Sequence, residues 1–240
     1  MEQEIYKKMH QLEQHHWWFV ARRKIIKKVL NQFLAKKTSL KILEIGCCTG
    51  GNLNMLSKFG NVYATEIDPA AREYANKKNI CEVKTGKLPD KLPFTEQFDL
   101  ICLFDVLEHI EDDVAAIARL KSLLNPHGNL IITVPAYQFL WSQHDDEHHH
   151  KRRYTFNKLN KVLKKNGMKI KYFSYFNSLL FPAILVARKM FFPWLTTNKA
   201  NVGIPNQLIN KVLETTFALE SKIIPTISFP FGVSLLVLTE

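Results

Sequence analysis

Residues 43–50, Leu43-Glu44-Ile45-Gly46-Cys47-Cys48-Thr49-Gly50, decide the fold. The short apolar run from Lys41 to Ile45 reads as a buried strand. Gly46 and Gly50 mark a tight turn, and Asn52 to Lys58 reads as the helix that follows. A turn from a buried strand into a helix brings the backbone close to a ligand, where side chains obstruct the approach. Alone the pattern is weak, because such turns also use glycine for packing. It gains weight from Glu66 at the tip of the next strand, Asn61 to Glu66. A carboxylate placed there accepts both hydroxyls of a ribose, against the plain alternative of a surface strand end. A pyrophosphate loop carries G-x-G-x-x-G and a P-loop carries GK before Ser or Thr. Neither is present, so the expected ligand is an adenosine without phosphates.

Working outward, strands and helices alternate. Asp68-Pro69 reads as a helix cap and first helical position. Ile80 to Lys84 is the third strand and Phe98 to Phe104 the fourth; a helix over Asp112 to Leu124 stops at Asn125-Pro126-His127-Gly128, and Asn129 to Val134 is the fifth. Thr155 to Asn166 is a helix stopped by Gly167, Met168 to Tyr175 a further strand, and Gly232 to Leu238 the last. Upstream, one helix carries His15, His16, Trp17, Trp18 and Phe19. A basic amphipathic helix follows, with Ile25, Ile26, Val29, Leu30 and Phe33 at helical spacing. The pattern predicts an α/β, doubly wound, seven-stranded, mostly parallel sheet covered on both faces. Residues 1–240 form one domain, with an N-terminal helical cover over 1–37 and a helical insertion over 176–228 before the last strand.

Composition narrows the classes. A chain of 240 residues that is 46% hydrophobic buries a sizeable core, which excludes disordered and collagen-like proteins. The net charge of +11 suits nucleic acid, an anionic membrane or an acidic substrate, and equally a plain basic surface. Lys and Arg are scattered rather than arranged in a stripe with aromatics, so no nucleic-acid partner is expected. Cys47, Cys48, Cys81 and Cys102 lack CxxC spacing, which favours a reduced, cytoplasmic setting over a disulfide framework. The N-terminus, with Glu2, Glu4, Lys7 and Lys8, lacks a signal-peptide core. The uncharged stretch from Phe173 to Ala187 is too short for a membrane span.

The ordered run LEIGCCTGGN, YATEIDP, FDLICLFDVLEHIEDD and LLNPHGNLIITVPA, across Lys41 to Ala136, resembles the class I S-adenosylmethionine-dependent methyltransferases. His16-Trp17-Trp18-Phe19 with Ala21-Arg22-Arg23, Pro135 to Asp145, His149 to Tyr154 and Tyr175 to Pro182 extend the resemblance to a bacterial type-11-like subgroup, over nearly the whole chain. The resemblance implies a Rossmann-like methyltransferase fold and S-adenosylmethionine as cofactor. It places the amino-acid part of the cofactor at Glu44, Gly46, Thr49 and Gly50, the ribose at Glu66, and the adenine at Ile67. Phe104, Asp105, Val106 and His109 line the methyl-transfer face. Phe19, Arg22, Cys47, Cys48, Asn52, Lys87 and Leu88 complete the expected cofactor set. Two positions depart from the family pattern. Cys48 stands where the middle glycine of the loop is usual, and Lys87 stands in a stretch that usually places an acid near the adenine amine.

The segment His144-Asp145-Asp146-Glu147-His148-His149-His150 follows the fifth strand, where a wound sheet presents its ligand crevice. It reads as a polar loop with internally satisfied histidines, as a catalytic lid, or as a metal site. As a lid, His144, His149 and Tyr154 are the catalytic candidates, with Arg152 and Arg153 as anchors for an anionic substrate. Contiguous histidines rarely wrap one ion, so no residue is assigned to a metal. His109 has a plain reading too, as a helix cap. Phe176 to Pro193, interrupted by Arg188 and Lys189 and followed by Trp194, reads as core, or as an apolar lid for a lipid-like acceptor on an anionic membrane. Trp17, Trp18 and Phe19 either close over the cofactor or pack as core. The expected partner is a small or lipid-like methyl acceptor, with peripheral membrane contact. The rival readings are a nicotinamide-dependent oxidoreductase, disfavoured by the missing pyrophosphate glycines, and a non-catalytic membrane- or RNA-associated module.

Overall fold

A computed structural model of the chain describes residues 3–34, 39–190 and 205–240. Its elements are α1 (Gln3–Leu12), α2 (Trp17–Leu34), β1 (Leu40–Ile45), α3 (Leu53–Leu56), β2 (Gly60–Thr65), α4 (Pro69–Asn76), β3 (Val83–Lys84), β4 (Phe98–Phe104) and α5 (Asp113–Ser122). There follow β5 (Leu124–Pro135), α6 (Gln143–Glu147), α7 (Phe156–Lys165), β6 (Ile170–Phe176), α8 (Phe181–Met190), α9 (Gln207–Leu219) and β7 (Ser234–Thr239). Trp194 and residues 191–204 of the insertion lie outside the described residues, as do residues 1–2 and 35–37 of the N-terminal cover.

The strands form one sheet in the order β3-β2-β1-β4-β5-β7-β6. All neighbours are parallel except β7, which runs antiparallel to both β5 and β6. The order reverses between β1 and β4, and a crevice opens there beyond the carboxyl ends of the strands.

Strand periodicity sorts the core into two layers. Leu43, Ile45, Ile101, Leu103, Leu130 and Ile132 face α5 and α7, meeting Ile117, Leu120, Leu159 and Leu163. Their neighbours Ile42, Leu100, Cys102 and Ile131 face the other way, onto Ile25, Ile26, Val29 and Leu30 of α2 and Phe217 of α9. Both faces are buried, which is why β4 reads as an almost unbroken apolar run.

Several local expectations shift. The single helix expected around His15 to Phe19 is broken: the chain turns at 13–16, and Trp17 to Phe19 open α2 instead. Asn210 of α9 fixes that start, its Oδ1 accepting from Trp17 N at 2.9 Å while its Nδ2 donates to His15 O at 2.9 Å. β3 is only two residues long, and Asn76 Oδ1 takes the amide of Val83. In the insertion, the buried Glu220 carboxylate accepts from the amides of Asn177, Ser178 and Leu179 at 2.7, 2.6 and 2.8 Å, pinning the chain just before α8. No helix among the described residues is long and apolar enough to cross a membrane. All four cysteines are free thiols.

Candidate active site

The glycine turn leaves β1 at Ile45. Gly46 has φ +67°, in the left-handed region that glycine enters without strain, and a Cβ there would lie 2.7 Å from Val106 Cγ2. Cys48 also has a left-handed backbone, at φ +50°, which accounts for glycine being usual at this position. Glu66 braces the turn from β2: its Oε2 accepts from Cys48 N at 2.8 Å and its Oε1 from Asp68 N at 2.9 Å. Asp68 caps α4 by accepting from the amides of Ala70 and Ala71. The Cys47 amide bonds to Thr65 O, and its side chain is buried in a small core with Leu53 and Ala64.

Glu44 and Arg22 are buried polar residues on the glycine-turn side of the sheet. Glu44 is buried and accepts from Asn52 Nδ2 at 2.8 Å through Oε1, while its Oε2 has no partner. Burial pushes its pKa up to about 7, against the pull of Asn52 and the charge of Arg22. Arg22 rises from α2 to reach Asp105 Oδ2 at 3.0 Å and Thr133 Oγ1 at 2.8 Å, and packs over the rings of Trp18 and Phe104. Its Nε is buried and unpartnered. Glu44 Oε2 can accept from an ammonium and Arg22 Nε can donate to a carboxylate, the two charges of an amino-acid zwitterion.

A cavity of about 890 Å³ is lined by Gly46, Ile67, Lys87, Leu88, Val106 and His109, among others. Of the expected set, Ile67, Lys87 and Leu88 stand for the adenine side, Val106 and His109 for the methyl-transfer face and Gly46 for the amino-acid side; Phe104 and Asp105 are not in the lining. Glu44, Cys48, Thr49, Gly50, Asn52, Glu66 and Arg22 are outside its lining. Helix α1 lies on much of that half. Glu13 accepts from Thr49 Oγ1 at 2.6 Å, is salt-bridged to Lys78, and lies against Gly51. Met9 Sδ is 3.9 Å from Cys48 Sγ, and Tyr6 is buried near Glu66 and Asp68. No sequence signal marked Tyr6, Met9 or Glu13 as neighbours of the loop.

Past β4, Glu108 is fully buried and neither carboxylate oxygen has a hydrogen-bond partner. Burial, with Asp105 nearby, holds its carboxyl well above the usual range. His109 stacks edge-to-face on His150 at 4.6 Å, and burial together with His150 and His148 lowers its pKa to about 4. His150 Nδ1 is 2.9 Å from Asp145 Oδ1. Burial alone would raise the Asp145 pKa, but hydrogen bonds from His150 and Arg153 hold the carboxylate well below its ordinary range.

Three expectations for this segment are corrected. Tyr154 is not at the site: its ring is in the core and its hydroxyl donates to Asp113 Oδ2 at 2.8 Å. Arg152 and Arg153 are not substrate anchors. Arg153 grips both oxygens of Asp145 at 2.8 Å, and Arg152 pairs with Asp113 at 3.2 Å. His144 and His149 are exposed, with the His144 ring tilted against His148 at 4.1 Å, whereas His150 is the loop histidine that meets His109. Trp17 and Trp18 pack against the α2 and α9 core layer, and Trp17 lies edge-on to Phe217. Phe19 contacts His16 and Trp18.

The sequence model of a methyltransferase-domain family matches residues 17–175. The chain belongs to that family. The family is that of the S-adenosylmethionine-dependent methyltransferases. Among curated relatives, a ubiquinone biosynthesis O-methyltransferase of Rhodopseudomonas palustris (strain TIE-1) is 26% identical over 99 residues, 39% of each chain. The mitochondrial ubiquinone biosynthesis O-methyltransferase of Schizosaccharomyces pombe is 31% identical over 103 residues, 39% of this chain and 37% of that protein. The match thus spans about two fifths of these relatives' length. The same fold occurs in phosphoethanolamine N-methyltransferase 2 of Haemonchus contortus in complex with S-adenosyl-L-methionine (TM-score 0.56, 18% identity, 88% of this chain and 50% of that one). It also occurs in a SAM-dependent methyltransferase of Archaeoglobus fulgidus (TM-score 0.54, 15% identity, 90% and 93%).

Proposed function

We propose that this methyltransferase methylates an oxygen of a small acceptor that carries an apolar portion. The observation that carries the reading is the grouping of Glu108 and His150 behind His109, which lines the cavity together with Gly46 and Val106. A hydroxyl acceptor sheds a proton as it is methylated, and ionisable groups at that end of the crevice suit the task. The aligned relatives are named O-methyltransferases, which agrees with an oxygen acceptor. An apolar portion is favoured by Leu179, Val186, Leu208, Ile209 and Val212, all exposed on the insertion between β6 and β7. The same side chains, with the net charge of +11, favour peripheral contact with an anionic membrane.

Bound S-adenosylmethionine supplies a methyl group on a positively charged sulfur. The chain's own residues then bind and orient. Glu44 and Arg22 hold the amino-acid end, Glu66 the ribose, and Ile67 and Leu88 the adenine. Exposed Lys87 cannot accept from the adenine amine, so that edge is left to backbone groups. Most of the acceleration comes from holding the acceptor oxygen in line, the contribution expected of proximity and orientation.

The test is methyl-labelled S-adenosylmethionine with matched phenol, aniline and thiol acceptors bearing short or long alkyl chains. The expected result is labelled methyl ether, formed faster with the longer chain. Labelled amine or thioether without ether would overturn the oxygen assignment. Absence of S-adenosylhomocysteine binding by calorimetry would overturn the site itself.

A further inference from the structure

We infer that Glu108, His109 and His150 form a binding site for one divalent first-row transition-metal cation. One donor atom from each lies within 4.8 Å of the others, and among the described residues they form a set of two imidazoles and one carboxylate. Donors sharing an ion at bond lengths of about 2.1 Å stand about 3 to 3.5 Å apart, so side-chain rotation of about 1 Å closes the site.

Two independent features distinguish this group from a polar cluster that merely satisfies itself. The first is Glu108. A fully buried carboxylate with neither oxygen hydrogen-bonded is costly, and a cation removes that cost. The second is the support behind His150. Its Nδ1 is held by Asp145 at 2.9 Å, which leaves Nε2 as its remaining donor atom. Asp145 is held in turn by Arg153 through two contacts of 2.8 Å and by the Ser142 amide at 2.8 Å. A carboxylate fixing the far nitrogen of an imidazole is the arrangement that orients metal-binding histidines. The histidine-rich segment therefore contributes one ligand and its brace, rather than a run of contiguous ligands.

Two imidazoles with one carboxylate suit zinc, manganese, iron or cobalt better than magnesium or calcium, which prefer oxygen donors throughout. Three protein ligands leave coordination positions open, and one of the three, His109, also lines the cavity. Resting on the O-methylation reading, the cation's role follows. It takes the acceptor hydroxyl as a ligand and lowers its pKa, and the proton leaves to water. The oxygen lone pair then forms the O–C bond as the S–C bond breaks, and that electron pair stays on sulfur.

The test uses the purified full-length chain, stripped with a chelator and titrated with Zn²⁺, Mn²⁺ and Co²⁺ by calorimetry, with Co²⁺ also followed by its visible absorption. The expected result is one ion per chain, bound at least ten-fold more weakly by Glu108→Gln and by His150→Ala, and unchanged in His149→Ala. Asp145→Asn is expected to weaken binding about ten- to hundred-fold, as loss of an orienting partner does. S-adenosylhomocysteine affinity is measured on the same samples. Cofactor binding without any ion binding up to millimolar metal overturns the metal site alone. So does ion binding that both Glu108→Gln and His150→Ala leave intact. Ether formation undiminished after chelation overturns the cation's catalytic role.

Discussion

Gly46→Ala tests whether the glycine turn and the residue after β4 form one packed unit. The added methyl group meets two separate costs. At φ +67° an L side chain costs about 1 to 2 kcal/mol. Its Cβ would also stand 2.7 Å from Val106 Cγ2, and overpacking of that kind costs about 1 to 3 kcal/mol. Reduced freedom of the unfolded chain returns about 0.4 to 1 kcal/mol. The net loss is about 1 to 4.5 kcal/mol, or roughly 2 to 18 °C in Tm for a chain of this size. Urea and thermal unfolding followed by circular dichroism measure it. Adding Val106→Ala removes the steric part but not the backbone part, so the pair is expected to couple favourably by about 1 to 2 kcal/mol. A single variant within 0.5 kcal/mol of the parent by the same unfolding assay, or a pair that merely adds, refutes the reasoning.

Other perturbations probe separate parts of the site. Glu44 is raised to about 7 in the unliganded protein, so its folded form holds a proton that the unfolded chain has released. Its contribution to stability is present at low pH and falls as pH rises from the ordinary carboxylate range to about 7. An ammonium partner favours the ionised form, so S-adenosylhomocysteine affinity falls as pH drops below about 7 and binding there releases a proton; calorimetry in buffers of different ionisation enthalpy reads this. Arg153→Met leaves the buried Asp145 carboxylate without its two-point partner and is expected to cost about 3 to 5 kcal/mol in urea unfolding. The depressed Asp145 pKa has the opposite sign to Glu44: its stabilisation is present above the ordinary Asp range and is lost only as pH falls into strong acid. Glu13→Ala removes the acceptor shared by Thr49 and Lys78, so protease cleavage within 3–16 should rise at least several-fold while core amides keep their exchange protection.

Strong local signals made much of the fold legible. β4 occupies its expected residues because six of its seven positions, all but Asp99, are committed to burial, and Asp68-Pro69 caps α4 because both residues favour that geometry. Less was legible where tertiary partners decide. Ile80 to Glu82 have strand character, but the strand sits at the sheet edge, and only Val83 and Lys84 pair with β2. The break at 13–16 has no proline or glycine to announce it; Glu13 is drawn onto the loop by Thr49 and Lys78, and Asn210 caps α2 from far along the chain. The glycine turn and Glu66 were readable from spacing, whereas Arg22 at the vacancy beside Glu44 came from resemblance alone. In the histidine-rich segment, composition could not show that Asp145 and Arg153 satisfy one another and leave His150 turned toward His109. The one hint of Glu108 was an acid set within Asp105-Val106-Leu107-Glu108-His109-Ile110, a position that burial turned inward.

The hold of α1 on the glycine loop also bears on turnover. Thr49 Oγ1 donates to Glu13, just past α1, and Cys48 Sγ lies against Met9 of α1, so the glycine turn is tied to the N-terminal helix. Any change in the loop when cofactor binds is therefore felt by Glu13. Because linkage is reciprocal, whatever loosens the N-terminal helix alters cofactor affinity by the same factor. If spent cofactor leaves by this face, its departure requires the Thr49 and Lys78 contacts to part first. Residence time, more than the chemical step, then becomes the quantity that α1 and the Glu13 that follows it control.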